Sequence, residues 1–207
     1  MMCCLHGKSG LAAAMGLAAG LAFGAGTLVG ASEVQPEMEQ MDAEAMMQAH
    51  AQANKMTEHH GHMKAMVGVW DGHLTAEMPG GEKFESHGTM TNELIMDGRF
   101  LRGTWEGEMM GEPYSGVSIM GYSSVEGEYQ GVWIDSTANQ ISYTTGGLVD
   151  DNTLAMHGEE TNPASGMTMR YRDILHQKDD DHSSFTRMYI TPMGEVEGFK
   201  IEYTRRK

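Results

Sequence analysis

The chain predicts an all-β fold, an antiparallel up-and-down barrel of about eight to ten strands preceded by an N-terminal helical extension. Three observations carry this. From Gly68 onward apolar and polar residues alternate with the period of two of a half-buried strand: Trp70, Gly72, Leu74, Ala76 and Met78 against Asp71, His73, Thr75 and Glu77. Turn signals recur at short intervals, among them Pro79-Gly80-Gly81, Asp97-Gly98, Glu126-Gly127, Asn162-Pro163 and Pro192-Met193-Gly194. All 3 tryptophans stand in the tripeptide Gly-x-Trp, at Gly68-Val69-Trp70, Gly103-Thr104-Trp105 and Gly131-Val132-Trp133. A glycine beside such a ring lets it lie against a neighbouring strand.

In chain order, residues 1–31 read as a signal peptide. Lys8 precedes an Ala/Gly/Leu-rich run from Leu11 to Gly30, and Val29-Gly30-Ala31 supplies small residues for cleavage near Ala31. The expected location is periplasmic or secreted, with no membrane span after cleavage; an uncleaved anchor is the alternative, disfavoured by the glycine content of the run. The 2 cysteines, Cys3 and Cys4, lie ahead of the run, so the exported part has no thiol. Disulfides, thiol catalysis and thiolate metal sites are excluded together.

Residues 32–57 form a Met/Ala/Glu-rich extension in which Met38, Met41, Ala45, Ala49 and Met56 fall close to one helical face. A second short helix, roughly 59–67, is expected to bring Met63, Met66 and Val67 onto the base of a barrel domain spanning 58–207. Strands are expected at 69–78, 83–92, 99–108, 114–122, 128–136, 140–148, 153–160, 167–177, 182–190 and 196–205. The turns between them leave no room for crossover helices. Consecutive strands must therefore pair antiparallel, and a long meander closes to remove its edges.

The formal charge of −15 repels nucleic acid and disfavours anionic membrane surfaces. No Gly-x-Ser-x-Gly, phosphate loop, His-Glu-x-x-His or cysteine nucleophile is present. Glu159 and Glu160 are adjacent and so point to opposite faces of a strand, unsuited to acid/base pairing.

Several stretches resemble a bacterial family, the domain of unknown function 1579 family of calycin-like, lipocalin-like barrels. They include Met66-Val67-Gly68-Val69-Trp70-Asp71-Gly72, Gly98-Arg99-Phe100-Leu101, Met120-Gly121-Tyr122, Tyr129 to Ser136, Met169-Arg170-Tyr171-Arg172-Asp173 and Glu202 to Lys207. The resemblance covers nearly all of 58–207. It implies the barrel and no activity. It also implies a lipocalin-type closure in which Trp70 is covered by an arginine of the last strand, with Arg205 as first choice and Arg206 as the alternate.

The expected function is a non-catalytic barrel binding a small apolar or amphipathic ligand, with no cofactor. Lumen candidates are Trp133, Asp135, Arg170, Arg172, Tyr171, Met120 and Met169. Together with Asp173, they could form an Arg/Asp/Tyr cluster holding an anionic head above a methionine-lined depth. The competing reading makes the charges structural ion pairs on a sheet face. One alternative function is copper handling through His59, His60 and His62, with His50, Met56, Met63 and Met66 around them. Another is an enzyme of unrecognised type built on Asp135, Arg170 and Arg172. Haem is not expected, because alternation turns His73, His87 and His157 outward. The oligomeric state is not legible.

Overall fold

A computed structural model describes residues 42–207 apart from positions 79 and 164. The segment expected to be a signal peptide, with Cys3 and Cys4, and Met38 and Met41 of the extension lie outside the described residues. Among those described, no helix is long and apolar enough to cross a membrane.

The first element, α1 (Ala43–Ala53), starts where the Asp42 carboxylate accepts the Ala45 N–H at 2.8 Å, and it buries no residue. The second, α2 (Glu58–Ala65), buries His60 and Met63. Between them the backbone is tied to the barrel: Arg99 donates to the Asn54 carbonyl at 2.8 Å and Ser124 to that of Lys55 at 3.1 Å.

Ten strands follow: β1 (Gly68–Glu77), β2 (Lys83–Ile95), β3 (Phe100–Met109), β4 (Glu112–Ser123), β5 (Glu128–Asp135), β6 (Ser142–Asp150), β7 (Thr153–Thr161), β8 (Thr168–Gln177), β9 (His182–Thr191) and β10 (Gly194–Arg205). Each pairs antiparallel with its sequence neighbours, and β1 pairs with β10 to close the barrel, Trp70 opposite Arg205 and Leu74 opposite Ile201. Closure leaves no sheet edge exposed. The sequence-predicted boundaries agree with these strands to within three residues.

Alternation sets the two faces, and two irregularities adjust it. The register shifts in β6 between Leu148 and Asp150 and in β10 between Glu197 and Phe199. The second shift leaves Gly198 unpaired and puts Phe199, Ile201 and Tyr203 on the row that faces the lumen.

The glycines of the Gly-x-Trp tripeptides are not the ones that seat rings on the wall. Trp105 lies over Gly72 and Gly88, which pair with each other across β1 and β2, and Trp133 lies over Gly116 of β4. The ring leans sideways onto the next strand, so the space it needs is across the sheet rather than two residues back.

The barrel has one plugged end. Here α2 packs Met63 against Leu101, Met120, Tyr129, Leu154 and Met156. The Met66 carbonyl accepts the Trp70 indole N–H at 2.9 Å and the Asn92 amide at 3.0 Å, while Arg205 donates to the carbonyls of Val67 and Ala65. The last carbonyls of the helix, which have no partner within it, are thus satisfied by barrel side chains. Arg206 points outward to Asp71 and Thr89, so Arg205 is the closing arginine. The opposite end carries the turns after β1, β3, β5, β7 and β9.

Candidate functional site: the barrel lumen

The lumen encloses a cavity of about 840 Å³. Toward α2 the lining is mainly apolar, with Leu101, Met120, Leu154 and Met156, and His62, Asn92 and His176 are the polar side chains among them. Halfway up, the aromatic side chains of Trp105, Trp133, Phe185, Phe199 and Tyr203 form a belt. Above the belt the lining turns polar and charged.

Arg187 of β9 is the centre of the polar part. Its Nε and Nη2 both donate to the Asp173 carboxylate at 2.8 Å, its Nη1 donates to Glu160 at 3.1 Å, and its guanidinium lies 3.8 Å from the Tyr171 ring centre. Tyr189 donates to the other Glu160 oxygen at 2.8 Å. The strands explain the meeting, because Asp173 and Arg187 are directly opposite across β8 and β9 while Tyr171 faces Tyr189 in the same row. The fork of Arg187 matches the carboxylate with two parallel hydrogen bonds, the strongest geometry available to this pair. Burial pushes the Asp173 carboxyl up, and Arg187 works against that rise. Burial also pushes the Tyr114 and Tyr189 phenols up to about 12, so both are neutral in ordinary conditions.

One polar atom here is unmet. Tyr171 is fully buried, its ring lies over Gly158, and its hydroxyl has no partner at hydrogen-bonding distance. Burial pushes its pKa up, Arg187 works against that rise, Asp173 and Glu160 add to it, and the Ser142 hydroxyl is the neutral neighbour that acts on it. An unpartnered buried hydroxyl costs about 1–3 kcal/mol.

At the mouth, Asp135 accepts the Trp133 indole N–H at 3.1 Å and, through its other oxygen, the backbone N–H groups of Thr137 and Ala138 and the Thr137 hydroxyl. Partial burial opposes ionisation, but these hydrogen bonds outweigh it and hold the carboxyl below the usual carboxylate range.

Of the residues expected in the lumen, Trp133, Asp135, Tyr171, Met120 and Met169 line it. Arg170 and Arg172 do not. They flank the inward Tyr171 and therefore face out, Arg170 exposed and Arg172 bound to Glu195 at 2.6 Å. The expected anionic-head cluster is corrected accordingly: the lumenal guanidinium is Arg187, already paired with two carboxylates. Sequence reasoning missed Arg187 and Glu160, although both share alternating rows with inward residues, Ser183 and Phe185 for the first, Leu154 and Met156 for the second.

The histidines have other roles. His60 accepts the Thr57 N–H through Nδ1 at 3.0 Å, closing a capping box, and His59 stacks on Tyr122 with ring centres 4.1 Å apart. Among the described residues no three His, Cys, Asp or Glu side chains converge as a metal site. His73 and His87 stack on each other outside the barrel, and His157 is exposed.

These features define a class: a closed ten-stranded antiparallel barrel, plugged at one end by a helix, with an internal cavity that is apolar below and charged above. The chain belongs to the family described as "Protein of unknown function (DUF1579)", whose model matches residues 55–205. No curated protein matches it. Among solved structures it is similar to the S-type phycobiliprotein lyase CPES from Guillardia theta, with 14% identity, 74% of this chain and 94% of that one covered, and a TM-score of 0.52. It is similar also to Rv2717c from M. tuberculosis, with 13% identity, 74% and 100% covered, and a TM-score of 0.52. At these identities the likeness is one of fold.

Proposed function

We propose that the chain is an exported, non-catalytic carrier that holds one small apolar or amphipathic molecule inside its barrel. The observation that supports this best is the cavity of about 840 Å³, bounded below by aliphatic and methionine side chains. Small-molecule sites span roughly 300–1,000 Å³ and share this design of apolar walls with a few placed polar groups. Methionines add adaptability, because an unbranched thioether can reshape around an irregular guest. The engagement of the polar groups also favours a carrier: Arg187 holds both Asp173 and Glu160, and Asp135 is held by four donors. Export rests on the sequence of residues 1–31 and on the cysteine-free remainder.

Native mass spectrometry of protein purified from its own host tests the proposal. Wild type should carry a small organic adduct, and Ser118→Phe, which fills the cavity from its wall, should lose it. A wild-type protein that carries no adduct and also fails to take up a neutral apolar fluorescent probe overturns the carrier reading.

A further inference from the structure

We infer that the lumen selects a primary amine carried on an apolar body, with the ammonium group received by Glu160, Tyr171 and Ser142; this rests on the carrier reading above. The charge balance comes first. The carboxylates of Asp135, Glu160 and Asp173 face the upper lumen with Arg187, which among the described residues is the one guanidinium of the lining, and Glu108 belongs to the lining as well. Whether or not Asp173 holds a proton, the sum is negative. A carboxylate head would enter against that field, and Arg187 has no free fork to offer it, since Nε, Nη1 and Nη2 are already engaged. An ammonium head enters with the field.

The second observation is the Tyr171 hydroxyl, fully buried and without a partner. Tyr171 is part of the cavity wall, with Arg187 and Asp173 on one side and Glu160 and Ser142 also close enough to act on it. An ammonium group carries three N–H donors and no acceptor. The three oxygens here can each take one of them. Glu160 has lone pairs to spare beyond those used by Arg187 and Tyr189, because a carboxylate offers about four acceptor positions. It is also the most accessible member of the cluster, its side chain 26% exposed against 7% for Asp173.

The surroundings suit the rest of such a molecule. Trp133 pairs with Ser142 across β5 and β6 and belongs to the same stretch of the lining. Below it, the belt and the methionine-rich floor accept an alkyl or aryl body. A neutral alcohol would satisfy Tyr171 but gain nothing from Glu160. The head group therefore decides among ligands of equal apolar size.

Titration calorimetry of the full chain with n-octylamine, 1-octanol and octanoate at neutral pH tests this, with short tails chosen to avoid micelles. Octylamine should bind about tenfold or more tighter than octanol, the worth of one charge-assisted hydrogen bond, and octanoate weakest. Glu160→Gln should remove most of the amine advantage while leaving octanol unchanged. Tyr171→Phe deletes only an unpartnered oxygen, so it should fold as well as wild type and weaken the amine several-fold. Octanoate binding as tightly as octylamine, or amine affinity indifferent to both substitutions, overturns the amine inference and leaves the carrier reading standing. Failure of all three compounds to bind wild type overturns both.

Discussion

The guanidinium of Arg205 lies 4.0 Å from the ring centre of Trp70, directly opposite it in the pairing of the last strand with the first. The same side chain donates to the carbonyls of Ala65, Val67 and Asp180. One residue therefore joins the strand that closes the barrel to the helix that plugs it.

Removing that joint should cost more than its neighbour does. Arg205→Ala loses the cation–π contact and charge-assisted hydrogen bonds, and urea denaturation should show a loss of about 3 kcal/mol. Arg206→Ala, whose partner Asp71 is on the solvent face, should leave the midpoint nearly unchanged. Equal effects would place the closure elsewhere.

The lumenal ion pair makes an opposite kind of prediction. Arg187→Met leaves Asp173 buried without its partner and should destabilise by about 3–5 kcal/mol. The double change Arg187→Met with Asp173→Leu should recover much of that loss, because no charge is then stranded. A double-mutant cycle in urea measures the coupling.

Acid should loosen the plug. Burial is the main cause that lowers the His60 pKa from 6.5, and His60 accepts the Thr57 N–H, which only the neutral ring can do. A histidine with a depressed folded pKa contributes stability that is complete above 6.5 and is lost as pH falls from there through the folded value. Protection factors of the α2 amides against hydrogen exchange should fall as the pH drops through that window. His60→Gln, which keeps an acceptor at the same capping position, should abolish the pH dependence.

Glycine positions separate wall from helix. A Cβ at Gly116 would collide with the Trp133 ring. Gly116→Ala should cost about 1–3 kcal/mol and alter the near-ultraviolet circular dichroism as the indole is displaced. Gly61 within α2 has open space around it, so Gly61→Ala should stabilise by up to about 1 kcal/mol. Thermal melts of the two variants should move in opposite directions.

The resemblance implied an arginine of the last strand over Trp70, the pairing register made it Arg205, and the sequence by itself determined the strands and their order. Those features follow from local alternation, from turn residues, and from a meander in which each strand has no neighbour to choose but the next. It also put Trp133 and Asp135 on one strand face, because no bulge interrupts the period there. The tertiary structure decided the polar site. Arg170 and Arg172 share a strand with Tyr171 yet face out, while Arg187 and Glu160 meet from strands β9 and β7 across β8. A charged residue in a strand looks the same in sequence whether it meets solvent or a partner. Pairing register fixes which charges meet in the lumen, because it depends on contacts between residues far apart in the chain.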